Sequence, residues 1–150
     1  MNNLFDTKVV DHYVGRINSL KHEQQRQWGK MDVAQMLTHC QKPFCIADGT
    51  LVLKPNKIIK FLFGKKAKKN LLAGVPFKRN LPTFPEAVIS DKKEFEKERA
   101  VLIDTIKTFH KNGPSGVKNL EHPFFGEMTP DTWSLLLSTH LNHHLSQFGA

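Results

Sequence analysis

Apolar residues recur at helical spacing in four separate stretches of the chain. Over residues 5–20, Phe5, Val9, Val10, Tyr13, Val14, Ile17 and Leu20 follow one another in steps of mostly three and four, which predicts an amphipathic helix. Asp6 and Asp11 in its first half and Lys21 at its end suit the helix dipole. A second helix is expected from about Met31 or Asp32, with Val33, Met36, Leu37, Cys40 and Phe44 forming its stripe. Pro43, late in that pattern, is expected to kink or end it, and Asp48-Gly49-Thr50 is a stop. A third helix is predicted from about Asp91, capped by Ser90. Its apolar positions are Phe95, Val101, Leu102, Ile106 and Phe109, and Asn112-Gly113-Pro114 terminates it. Thr129 and Pro130 then open a fourth helix running to about Gln147.

Residues 51–90 are the least regular part. A short helix over about 56–63 is expected, followed beyond Gly64 by an extended surface loop rich in proline and glycine. A connection of this length within a compact domain is often functional, or a lid. No strand pattern is long enough to build a sheet. The pattern therefore predicts an all-α fold, an antiparallel four-helix bundle with a long middle insertion between helices two and three. The 150 residues fit a single domain over 1–150.

Composition adds little to that picture: 39% hydrophobic and 24% charged residues are ordinary for a soluble protein. No apolar run approaches the roughly 20 residues that span a bilayer. The N-terminal stretch has no basic patch followed by an apolar run and a small-residue cleavage site, so secretion is not expected. The two cysteines, Cys40 and Cys45, point in divergent directions on a helix, which argues against a disulfide. Reduced thiols and the missing signal together predict a cytoplasmic protein.

The candidate chemistry lies in the histidines. On the fourth helix Trp133, Leu136, Leu137, His140, His144 and Phe148 fall within a sector of roughly 120° at 100° per residue. His140 and His144 therefore share the apolar face, with His143 at its margin. Imidazoles on such a face are costly unless each ring nitrogen has a partner. Two of them one turn apart either hydrogen-bond within the bundle or converge on one ion, with bonds of about 2.0–2.1 Å. His39 on the second helix is the natural third donor, although a helical wheel sets it about 100° from the centre of that helix's stripe. His12, His22 and His110 are expected in solvent, and His122 in an aromatic loop is expected to pack.

The segments that carry this reading also carry a family resemblance. Trp28-Gly29-Lys30-Met31 followed by Ala34-Gln35-Met36-Leu37-Thr38-His39 resembles the start of the second helix in the DinB/YfiT-like superfamily. His122-Pro123-x-Phe125-Gly126, then Trp133 and the run from His140 to Gly149, resembles one uncharacterised subfamily within it. The resemblance implies a four-helix bundle that binds a divalent metal, usually zinc or nickel, through three histidines. Carried over residue by residue, these are His39, His140 and His144. Members of known activity include mycothiol-dependent maleylpyruvate isomerase and bacillithiol transferases, so a low-molecular-weight thiol is an implied partner. The substrate does not carry over.

On that resemblance three neutral imidazoles leave an open metal position, with Gln35, Asn142 and Gln147 as candidates to hold the rings' other nitrogens. The function it implies is that of a metal-dependent enzyme, a transferase or hydrolase acting on a small molecule. Charge supports a second reading. The net charge is +8, and Lys54, Lys57, Lys60, Lys65, Lys66, Lys68 and Lys69 interleave with Ile58, Ile59, Phe61, Leu62 and Phe63. Residues 54–69 can contact an acidic partner or an anionic membrane, leaving the histidines structural. The expected reading of this segment, however, is a solvated face over a covering helix that packs its Ile/Phe side on the bundle. Nucleic acid is not the expected partner, since the charge belongs to one segment. Pairing into a homodimer is common among such bundles.

Overall fold

The computed structural model describes residues 3–54 and 56–150. Asp6 caps α1 (Thr7–Ser19), its side chain accepting from the Lys8 amide. Asp32 and Gln35 cap each other's backbone amides at the start of α2 (Val33–Ala47), a reciprocal box that fixes where the helix begins. After it come α3 (Lys57–Ile59), a π-helical segment (Lys60–Gly64) and α4 (Lys65–Leu72), which run on without a break. They are followed by α5 (Phe95–Asn112), a two-residue hairpin of β1 (Glu121–His122) and β2 (Gly126–Glu127), and α6 (Pro130–Gln147).

The predicted all-α class is what the chain adopts. The principal helix contacts run α1 to α5, α5 to α2, α2 to α6 and α6 back to α1, with α2 against α5 the most extensive. Their apolar stripes merge in one core. Val10, Tyr13 and Ile17 come from α1, and Met36, Leu37, Cys40 and Phe44 from α2. Leu102, Ile106 and Phe109 come from α5, and Trp133, Leu137, Leu141 and Leu145 from α6. Polar groups are matched where helices meet: the Tyr13 hydroxyl donates to the Ser138 carbonyl at 2.9 Å.

Four boundary or packing expectations need correction. First, of the two outcomes expected at Pro43, α2 does not end there; it continues to Ala47 and stops at Asp48 as expected, because Phe44, Ile46 and Ala47 are buried and hold the last turn. Proline removes only the bond to the carbonyl four residues back, that of His39. Second, α5 begins at Phe95 rather than near Asp91. The Glu94 carboxylate accepts from the Glu96 and Lys97 amides, whereas Asp91 pairs with Lys93. Val101, assigned to the apolar face, is 39% exposed.

Third, the chain beyond Gly64 is not loop but helix to Leu72. Leu71 is fully buried, and Gly64 lies so close to the hairpin that a Cβ there would collide with the Phe124 carbonyl. Fourth, the Ile/Phe side of residues 57–72 does not pack on the bundle. The inward contacts are made by Gly64, Leu71 and two lysines instead. Lys60 pairs with Glu121, and Lys68 donates to the Glu127 carbonyl. The hydrophobic side chains are left outside.

Candidate metal centre

His39 lies two turns into α2, behind the cap set by Asp32 and Gln35. The seam of α2 enters the core, and the flank carrying His39 meets α6. There His39 is 5% exposed, with its ring centroid 4.9 Å from that of His140 and 4.7 Å from that of His144. The His140 and His144 rings are 4.5 Å apart. The fold thus brings the three histidines together, one ligand-capable nitrogen from each lying within 4.8 Å of the others. His39 and His144 are buried and His140 is half-buried as a residue.

Hydrogen bonds set the protonation of two rings. His39 Nδ1 lies 2.7 Å from the Ala87 carbonyl, which can only accept, so the ring donates there. A neutral His39 must then carry its lone pair on Nε2. His144 Nδ1 lies 2.9 Å from Gln147 Oε1, and Gln147 Nε2 donates to the Trp28 carbonyl at 2.7 Å. The second bond fixes which end of the amide faces the histidine, so His144 also donates through Nδ1 and bares Nε2 inward.

His39 Nε2 is 3.1 Å from His140 Nε2. That distance is a hydrogen bond while His140 keeps its proton on Nε2. When His140 carries its proton on Nδ1 instead, two Nε2 lone pairs lie side by side and a cation is the group that can accept them. Two nitrogens on a tetrahedral zinc, each about 2.05 Å away, are separated by about 3.3 Å. The donor set and its spacing therefore fit a divalent ion, and the acceptors behind His39 and His144 are of the kind that orient metal-bound imidazoles.

The electrostatics favour neutral rings. Burial pushes the His144 imidazole down to about 3, with the His39 ring acting in the same direction. Burial also lowers His140 well below the ordinary histidine value, and its neighbours His144 and His39 add to this. His39 is lowered by burial, partly offset by its bond to Ala87. Neutral imidazole is the form that ligates.

Beyond His144 the site is walled by aromatic rings. Trp28 and Phe77 lie edge-on to His143, and the Arg79 guanidinium sits 4.1 Å over the Trp28 ring. Of the three residues named as candidate ring partners, only Gln147 takes that role. Gln35 caps α2 and donates to the Asp91 carbonyl, and Asn142 accepts from Arg16. Cys40 is buried with Sγ 3.7 Å from Met36 Sδ, and burial raises its thiol pKa.

His122 packs as expected, with Nδ1 accepting from the Phe124 and Phe125 amides. His12 and His22 are exposed. His110, expected in solvent, is half-buried and ties the end of α5 to the Leu4 carbonyl. The contributions missed from sequence are the Ala87 and Trp28 carbonyls, which are backbone atoms with no residue-type signature. Gly29 is a partial exception. It has φ +82°, and a Cβ there would strike Gln147 Nε2, so the Trp28-Gly29 pair is the visible trace of this contact.

A family model for proteins of unknown function, DUF1569, matches residues 3–150. The chain belongs to this family. No curated protein and no solved structure matches it. The DUF1569 match spans the three histidines together with Trp28, Gly29, Ala87 and Gln147.

Proposed function

We propose that this DUF1569 protein is a divalent-metal-dependent enzyme of the DinB/YfiT-like kind, holding zinc or nickel through His39, His140 and His144. The reaction class is transfer or hydrolysis on a small molecule, with a low-molecular-weight thiol as the favoured co-substrate. The observation that carries this reading is the pair of fixed tautomers. Ala87 and Gln147 take the Nδ1 protons of His39 and His144, which leaves a lone pair on each Nε2 in a cluster where one nitrogen of each of the three rings lies within 4.8 Å of the others. Three protein ligands leave a position open, as in catalytic rather than structural zinc sites. A bound ion would lower the pKa of a coordinated water toward about 7 or hold a thiol as thiolate.

The chain's own groups define the rest. The exposed Arg79 guanidinium, held against Trp28, can bind the carboxylate of a small anionic substrate. Cys40, next to His39 in the chain, is enclosed beside Met36 and held as a thiol, so it does not supply the reacting sulfur.

Metal analysis of purified protein tests this reading. Wild type should bind close to one zinc or nickel ion per chain, and His39→Ala, His140→Ala and His144→Ala should each lose it. Added metal at about a hundred times its Kd should stabilise wild type by about 2.7 kcal/mol. If the three alanine variants hold metal as well as wild type does, the reading is wrong.

A further inference from the structure

The helical stretch 57–72 turns its hydrophobic residues away from the protein. Phe61 is 84% exposed, Ile58 72% and Leu62 60%, with Phe63 and Ile59 beside them. Solvent-facing Phe, Ile and Leu at five of six consecutive positions cannot be accounted for by the scattered apolar residues that any surface carries. Val52, 82% exposed, lies just before them in the chain.

Lysines bracket this cluster on both sides: Lys54 and Lys57 before it, and Lys65, Lys66 and Lys69 after it. All five are exposed, and none makes an ion pair among the described residues. The two remaining lysines point inward and anchor the helix, Lys60 to Glu121 and Lys68 to the Glu127 carbonyl. With Gly64 against Phe124 and Leu71 buried, the inner side of the stretch is fixed and its outer side is free.

We propose that residues 57–69, with Val52 and Lys54, form a docking surface for an anionic lipid bilayer, with Ile58, Phe61, Leu62 and Phe63 entering the headgroup region and the five unpaired lysines contacting lipid phosphates. Two features favour lipid over a protein partner. The hydrophobic side chains project into solvent at high exposure, and a fluid bilayer accommodates projecting side chains without a complementary groove. Lysine stems are long enough to lie along the acyl boundary while their ammonium groups stay with the phosphates. Among the described residues no helix is long and apolar enough to cross a membrane, so the contact is on the surface. The inference is independent of the metal centre.

The test is co-sedimentation of the full chain, with chelator present, on vesicles of phosphatidylcholine alone or mixed with phosphatidylglycerol. Binding is expected to the mixed vesicles only, and to fall steeply with added salt. Lys65→Ala/Lys66→Ala/Lys69→Ala should weaken it roughly five-fold per lysine, about a hundred-fold in all. Ile58→Ser/Phe61→Ser/Leu62→Ser should weaken it at least about ten-fold. These side chains are exposed, so circular dichroism and the melting temperature should match wild type in both variants.

Absence of binding to the mixed vesicles overturns the proposal. So does binding that survives the serine variant unchanged, which would be charge attraction without insertion. A dimer that forms with rising concentration and is abolished by the same serine changes, without vesicle binding, assigns the surface to a second copy instead.

Discussion

Gln147 donates through its side-chain amide to the backbone carbonyl of Trp28 at 2.7 Å, joining the end of α6 to the turn before α2. The oxygen of the same amide receives the His144 Nδ1 proton. One side chain thus closes the fold and selects the tautomer of a histidine in the proposed site.

Replacing Gln147 separates these roles. Gln147→Leu removes both bonds and should lower metal affinity about 10- to 100-fold. Gln147→Glu keeps an acceptor for His144 but cannot donate to Trp28, so it should retain affinity while lowering the melting temperature. Chelator competition and thermal melts read the two effects. Equal affinity in the leucine variant and wild type would remove Gln147 from the site.

Gly29→Ala places a methyl group where Gln147 Nε2 lies and forces a side chain onto a φ of +82°. The expected cost is about 1–3 kcal/mol. Metal affinity should fall with stability, because the displaced amide releases His144. A melt indistinguishable from wild type would contradict this.

Acid should destabilise the metal-free protein through its buried histidines. Burial holds His122 and His144 at about 3, against 6.5 for an ordinary histidine. Below 6.5 the unfolded chain takes up a proton at each of these positions, and the folded chain does not do so until about 3. The unfolded state therefore binds more protons over that window, and stability falls as pH falls. The slope approaches about 1.4 kcal/mol per pH unit for each histidine, which integrates to about 3 kcal/mol for the two between about pH 6.5 and about pH 5. Urea midpoints of chelated protein across that range check it, and a flat profile would contradict it.

Gly64→Ala should release residues 57–72 without unfolding the core, since the new methyl group meets the Phe124 backbone rather than a movable side chain. Hydrogen exchange should quicken in that stretch and stay slow in α2 and α6. Uniform protection would mean that the helix docks independently of Gly64.

The helical class and the four long helices were legible because Phe, Leu, Ile and Trp at spacings of three and four leave few alternatives, and because Asp32, Thr129 and Pro130 mark helix starts. His140 and His144 were legible for the same reason. His39 was named from its place on the second helix and from the family resemblance rather than from the wheel, because a wheel relates a residue only to its own helix, whereas His39 is placed by the angle at which α2 meets α6. Residues 57–72 misled for a different reason. Their apolar and basic residues alternate as a packed helix would, but the inward contacts fall to Gly64, Leu71 and the ends of two lysines. The start of α5 was misplaced because Ser90 is the better cap by residue type, whereas the Glu94 carboxylate is the one that accepts from the Glu96 and Lys97 amides.

The acceptor for His39 is the main-chain oxygen of Ala87, in the connection between α4 and α5. A substitution there leaves that oxygen in place, whereas inserting or deleting one residue between Gly74 and Ala87 would move it out of reach. The ring orientation of His39 is thus encoded in the length of this connection more than in its composition. Among related chains this segment should drift in sequence while keeping its residue count.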